Sequence, residues 1–480
     1  MATIEATLRD GSLAGIGQLL RNRHVSAEET VRWFLARAEG AGRAVNAIRT
    51  LAPDALAEAR ARDAELAAGQ DRGPLHGIPV LLKDNIFVAG LPAAAGAAAL
   101  AAFRPATDAT LVTRLRAAGA IILGKTNLTE LADYVSDVMP SSFSGAGGHV
   151  VNPHGALPYG RGQGSSVGSA AAVAAGLAPL AIGSETQNSI QAPASVSSVV
   201  GYKPSVGLVS RAGVVPLVPS QDSPGPLARS VADAALALAA LAGPDAADTA
   251  TLDGAWLPGA PLLLEQLTGL RIGVPRHGLL DAAEQAPLLG RLEDVLTRLA
   301  AAGATILDPC DLPSALPLRD VRSCVFRTEF KAAFDALMAT LGAPCGIGGM
   351  ADLVRWNEAN PGAIPFGQPL LLAALATGGL ADPAYRQDRA RDIALSRTAG
   401  IDAALEGAGA DLLLAPMGTA AKATGKAGAP AIAIPCGALP DGSPFGVTLF
   451  GRRGSDRLLL AAARLVERAV GERLSPTAAF

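Results

Sequence analysis

The segment Gly77-Ile78-Pro79-Val80-Leu81-Leu82-Lys83-Asp84-Asn85 sets the reading of this 480-residue chain. A glycine followed by an apolar run too short for a helix reads as a buried strand. The run ends on a lysine, a residue seldom buried without a partner. Upstream the pattern is helical. Ser26-Ala-Glu-Glu29 is a capping-box sequence opening a helix through Val31, Phe34 and Leu35, and Pro53 starts a second helix that runs to Gly69. Downstream, a helix near 108–118 stops at Gly119, and Ala120-Ile-Ile-Leu123 is the next strand. This alternation predicts an α/β sheet covered by helices on both faces.

Further strands are expected at Leu180–Ile182, Arg271–Val274, Ala304–Leu307, Asp411–Ala415, Ala431–Pro435 and Phe445–Phe450. Helices are expected near 168–176, 229–242, 283–302, 319–341, 383–406 and 455–470. Strands come from both ends of the chain, so residues 1–480 should close as one domain, and no internal repeat argues for an array. Within it, 1–70 supply N-terminal helices and 75–235 hold the segments that carry chemistry. Residues 310–410 are the least strand-like and read as a helical, lid-like insertion beside the site.

Composition narrows the function. Half the chain is hydrophobic, 17% is charged and the net charge is −3. This is a globular profile without the basic stripe that nucleic acid requires. Four cysteines (Cys310, Cys324, Cys345, Cys436) lack CxxC spacing, and the five histidines form no HExxH or HxH pattern. Neither a disulfide framework nor a metal site is expected, and no cofactor is implied. The beginning, MATIEATLRDGSL, does not read as a signal peptide. The apolar stretches at 89–103 and 168–183 are Ala-rich and broken by Gly or Pro, which is poor material for a membrane span. The expectation is a cytoplasmic protein with no membrane partner.

Three segments could carry chemistry. Lys83 either reaches solvent from a strand end or stays buried, where desolvation would lower its pKa and make it a usable base. Gly160-Arg-Gly-Gln-Gly-Ser165-Ser166-Val-Gly-Ser169 is a Gly/Ser loop entering an Ala-rich helix. It presents free N–H groups and hydroxyls, as a plain helix cap also would; it lacks the phosphate-loop lysine and the GxGxxG run. Ile182-Gly-Ser-Glu-Thr-Gln-Asn-Ser189-Ile190 takes a strand into a polar turn. There a serine hydroxyl and adjacent N–H groups suit an oxyanion, or simply cap the next helix.

Taken in order, with 24 positions from Ser165 to Ser189, these segments resemble the amidase signature family. The resemblance extends over Gly77–Asn85, Leu123-Gly-Lys-Thr-Asn-Leu128, Gly201-Tyr-Lys-Pro204, Val209-Ser-Arg211, Asp222-Ser-Pro-Gly-Pro-Leu-Ala-Arg229 and Pro430–Gly451. It implies one α/β/α domain around a mixed, mostly parallel sheet of about ten or eleven strands. It also implies roles. Ser189 matches the nucleophile, Ser165 the proton-relaying serine after a cis peptide bond, and Lys83 the neutral base. The N–H groups of Thr186, Gln187, Asn188 and Ser189 would form the oxyanion hole. Ser166 and Ser184 would hydrogen-bond around the relay, and Asp222 and Arg229 would brace the loop near the site.

The chain also departs from the family. Val167 follows the serine pair, and Gln187-Asn188 stand where many members have two glycines. Asn188 could preserve a positive-φ turn, and with all three triad positions intact the change reads as specialisation of the pocket rather than loss of activity. No arginine follows the nucleophile, since the run is Ile190-Gln191-Ala192-Pro193, so a neutral or amphipathic small amide is the expected substrate unless an arginine reaches in from 310–410. The implied protein is a monomer or homodimer. Two other functions fit the same motifs: the amide-hydrolysing component of a glutamine-dependent tRNA amidotransferase, which hands ammonia to a partner, and a non-catalytic binding homologue.

Overall fold

The apolar run around Leu81 forms a central strand, and every residue from Pro79 to Lys83 is buried. The computed structural model describes residues 4–155, 157–252, 264–280 and 285–476. Numbered along the chain, its main sheet contains β1 Ile48–Leu51, β2 Pro79–Lys83, β3 Ile121–Thr126, β4 Leu180–Glu185, β5 Val200–Lys203, β6 Ser223–Ala228, β7 Arg271–Gly273, β8 Thr305–Leu307, β9 Leu412–Pro416, β10 Ala431–Ala438 and β11 Pro444–Phe450. Their spatial order is β1-β3-β2-β4-β6-β5-β10-β11-β9-β7-β8, flanked by helices. The single α/β domain with an eleven-stranded mixed sheet agrees with expectation.

The expected parallel majority is corrected. Only β2 with β3 and β4, and β7 with β8 and β9, pair in parallel. The other six neighbouring pairs are antiparallel. The reason is the connections. No helix separates β5 from β6, and β10 returns as β11 through a tight turn closed by Leu439 N–H to Ser443 O at 2.8 Å. A short turn can only join antiparallel neighbours, whereas parallel ones need a crossover.

Three strands, β1, β5 and β6, are absent from the sequence reading. β6 explains why. Ser223-Pro-Gly-Pro-Leu-Ala reads as a loop, because proline cannot donate to a ladder. It pairs with β4 along its whole length, but with β5 only at Leu227 and Ala228. Alternate residues serve a ladder, so Ser223, Gly225 and Leu227 can supply N–H groups while Pro224 and Pro226 face the other way. Gly225 has a second duty: a Cβ there would sit 2.0 Å from the Tyr202 carbonyl oxygen.

The helices follow their signals more closely. Ala27–Glu39 carries the Ser26/Glu29 capping box, and Thr110–Ala117 stops before Gly119 at φ +84°. The helix expected over 283–302 is Ala286–Ala301, residues 283 and 284 lying outside the described residues. Helix Val167–Ala174, buried throughout, packs with its small side chains against β2, β3, β4 and β6. Residues 310–410 are helical, and Leu312, Ala315, Leu318, Ile401 and Leu405 bury with Leu413 and Phe450 of the sheet in a second core cluster. Among the described residues no helix is long and apolar enough to cross a membrane.

Two glycine substitutions should move stability in opposite directions. Gly225→Ala forces β5 and β6 apart and should lower the unfolding free energy by about 3 kcal/mol. Gly290→Ala, on an exposed face of Ala286–Ala301 where a Cβ meets nothing within 4 Å, should raise it by about 0.5–1 kcal/mol. Urea denaturation of the two variants reads both signs.

Candidate active site

Strand β2 delivers Lys83 to the centre of a hydroxyl cluster with its side chain fully buried. Its Nζ donates to Ser165 Oγ at 2.8 Å, and to Ser184 Oγ and Ser184 O at 3.0 Å each. Asn85 Nδ2 donates to the same Ser184 Oγ at 3.0 Å. Ser184 lies near the end of β4, beside β2, so the parallel pairing of these strands brings the two groups together. Burial lowers the Lys83 pKa to about 7, against the opposing pull of Asp222, Glu185 and Asp133.

Two other strand lysines are fully buried, and the contrast is informative. Lys125 Nζ donates to the carbonyls of Asp84, Ile86 and Pro92, and Lys203 Nζ to those of Ala429 and Pro204. Burial lowers both to about 8. Each ties backbone together. Of the three, Lys83 is the one whose amine meets side-chain hydroxyls.

Ser165 and Ser166 sit at the start of helix Val167–Ala174, and the Gly164–Ser165 peptide is cis. Ser165 O accepts from Thr129 N at 3.0 Å. At Gly164 a Cβ would lie 2.3 Å from Thr129 Oγ1, so only glycine fits the approach. Ser166 Oγ donates to Ser184 O at 3.1 Å and accepts from Ser184 N at 3.3 Å, while Ser166 N donates to Ser189 O at 3.0 Å. One serine thus links the loop, the end of β4 and the turn that follows.

That turn holds Ser189, 7% exposed, on the wall of a cleft of about 390 Å³. Two carboxylates shape it, Glu185 buried and Asp222 half-buried. Glu185 accepts from Ile190 N at 2.6 Å, Gln191 N at 2.8 Å and Gln191 Nε2. Asp222 accepts from Thr186 Oγ1 at 2.5 Å, Leu217 N at 2.9 Å and Val218 N at 3.0 Å. Burial raises the pKa of both, and these donors hold it back. The backbone N–H groups of Gln187, Asn188 and Ser189 find no acceptor among the described residues.

Some expectations change here. Neither Gln187 nor Asn188 adopts positive φ, so the turn does not require glycine geometry and Asn188 is not needed to preserve it. Instead Asn188 Nδ2 donates to Gly162 O at 3.1 Å, joining the turn to the serine loop. Asp222 braces the site, but Arg229 does not. Its guanidinium donates to the carbonyls of Leu8, Gly11 and Ala178. Seven residues along an extended strand separate the two by about 20 Å, which places Arg229 at the far end of β6. Asn85 and Glu185 carried no role in the sequence reading, although both lie inside the quoted motifs.

The cleft is also lined by Asp133, Tyr134 and Leu217, by Arg322, Ser323 and Phe326 from the 310–410 segment, and by Lys422 and Lys426. A smaller cavity of about 200 Å³ adjoins it, sharing Ala132, Thr186 and Leu217 and reaching Asn85 and Ser184. Among the described residues no group of three or more His, Cys, Asp or Glu side chains could hold a metal ion.

The amidase family model matches residues 29–460, and the chain belongs to that family, whose signature its motifs resemble. It is similar to the solved peptide amidase of Stenotrophomonas maltophilia, with 40% identity and a TM-score of 0.89 over 97% of this chain and 98% of that one. An amidase family protein from Bacillus anthracis shares 29% identity and a TM-score of 0.89 over 99% of this chain and 94% of that one. A glutamyl-tRNA(Gln) amidotransferase subunit of Symbiobacterium thermophilum is 34% identical, covering 94% of this chain and 95% of that protein.

Asp222→Asn tests the bracing. It keeps the shape but replaces one carboxylate oxygen with an N–H donor, so either the Leu217 and Val218 N–H groups lose their acceptor or the Thr186 hydroxyl must reverse from donating to accepting, and the negative charge is lost in both cases. Amide turnover should fall at least about tenfold, because the turn that carries Ser189 loses a support, while circular dichroism shows the fold retained. Wild-type turnover in this variant contradicts the role.

Proposed function

We propose that the protein hydrolyses a small carboxylic amide through a Ser189 acyl-enzyme, with Ser165 and Lys83 as the proton relay. One observation carries the reading: a buried amine with its pKa lowered to about 7 lies 2.8 Å from the Ser165 hydroxyl. A neutral amine at neutral pH can accept a proton, which an ordinary lysine ammonium cannot. Ser189 Oγ attacks the amide carbon, its proton passes to Ser165 Oγ, and the Ser165 proton passes to Lys83 Nζ. The oxyanion meets the unpaired N–H groups of the 187–189 turn, with Thr186 closing the same wall. As the C–N bond breaks, the proton returns from Lys83 through Ser165 to the departing nitrogen. Water then repeats the sequence on the ester and releases the acid.

Ser166 and Ser184 serve as hydrogen-bonding supports of this relay. The cleft of about 390 Å³ suits a small acyl group, and the similarity to a peptide amidase supports an amidated peptide or similar acyl chain. A second reading has support in the similarity to the tRNA amidotransferase component, which extends over nearly the whole chain. In that case the released ammonia passes to a partner protein. Hydrolysis by the purified chain alone at full rate decides for the amidase; glutaminase activity that appears only with a copurifying partner decides for the alternative.

Ser189→Ala should abolish hydrolysis and fluorophosphonate labelling while leaving the fold intact. Wild-type turnover should rise as pH increases through about 7, because raising pH populates the unprotonated Lys83 amine. Turnover in Ser189→Ala within tenfold of wild type, or a profile that falls through this range, contradicts the mechanism.

A further inference from the structure

The cleft that holds Ser189 carries more positive charge than its surroundings cancel. Its cationic lining residues are Arg322, Lys422 and Lys426. Lys426 is spoken for: its Nζ pairs with the buried Asp392 carboxylate at 2.5 Å, which also accepts from Ser323 Oγ at 2.8 Å. Lys422 Nζ donates to the carbonyls of Arg319 at 2.7 Å and Val321 at 3.4 Å, and has no carboxylate within ion-pair distance among the described residues. The Arg322 guanidinium is exposed and likewise has no carboxylate partner among them. The nearby acids are engaged elsewhere, Asp320 with Arg319 and Asp388 with Arg391.

The one lining carboxylate does not reverse this balance. Asp133 accepts from Ser141 Oγ at 2.8 Å, and burial raises its pKa, disfavouring its charge. Helix Val325–Thr340 begins beside the cleft and adds the positive end of its dipole. The chain as a whole is net negative, at −3, so this cationic wall runs against the overall sign. Tyr134, Phe326 and Leu217 line the same space. An apolar body with an anionic tip complements such a surface.

We infer that the acyl part of the amide carries a carboxylate, received by the Arg322 guanidinium and the Lys422 ammonium. The inference rests on the amidase reading and takes up the exception left to the expectation of a neutral or amphipathic amide, an arginine reaching in from 310–410. That expectation followed from the missing arginine after Ser189, where Gln191 is committed to Glu185. The cations come instead from residues 310–410 and from helix Ala421–Ala427.

The test holds the leaving group constant as ammonia and varies only the acyl charge. N-acetyl-Glu-Phe-amide, N-acetyl-Gln-Phe-amide and N-acetyl-Lys-Phe-amide are compared by kcat and KM at low ionic strength. The glutamyl substrate should show a KM about tenfold below that of the glutaminyl one, with the lysyl substrate weakest, and the spread should shrink at high salt. Arg322→Glu should invert the order towards the lysyl substrate, an effect that loosened packing alone would not produce. Equal KM values in the wild type, or an order unchanged in Arg322→Glu, overturn the inference and leave the amidase reading standing. Hydrolysis of none of the three, with Ser189 unlabelled by fluorophosphonate, overturns both.

Discussion

A primary amine at the end of a central strand, sealed from water, is the constraint around which this molecule is arranged. Moving the Lys83 pKa from 10.5 to about 7 shifts the balance between its charged and neutral forms by on the order of 5 kcal/mol. That shift exists only while β3 and β4 flank β2 and helix Val167–Ala174 covers it. The carboxylates of Asp222, Glu185 and Asp133 pull the other way, and each does structural work in or beside the site. Desolvation outweighs them in part because Glu185 is buried, Asp222 and Asp133 are half-buried, and in all three desolvation disfavours the charge as well.

The same enclosure orders the serines. Ser184 receives the Lys83 amine, Ser166 bonds Ser184, and Ser166 N holds the Ser189 carbonyl. Each link joins a different part of the chain, so the relay is a property of the sheet's assembly rather than of one motif. Lys125 and Lys203 show that burial alone does not make a base. They are depressed too, yet they spend their donors on carbonyls.

Much of this was legible before any fold was seen. The uniform apolar run before Lys83 marks a strand buried on both faces, and Ser26 with Glu29 marks a helix start. What escaped had physical reasons. β6 hides behind two prolines that a ladder tolerates because β5 pairs with it only at one end. Four of the six antiparallel pairs involve β1, β5 or β6, the strands that the sequence reading lacked. Asp222 and Arg229 looked alike as motif residues, but strand length parts them. Gln187 and Asn188 looked like a departure from required glycine geometry, and their φ angles show that no such requirement exists. The sequence left open an arginine from 310–410 without saying which, because Arg322 and Lys422 lie 100 residues apart and line one cleft only through packing.

Because the account turns on one protonation state, it is best tested there. Nitrogen-15 NMR of lysine-labelled protein, with the Lys83 signal assigned by its loss in Lys83→Met, reports the conversion of ammonium to amine directly. The account predicts a midpoint near pH 7 for Lys83. A Lys83 signal that stays ammonium up to pH about 10, as for an ordinary lysine, would contradict it.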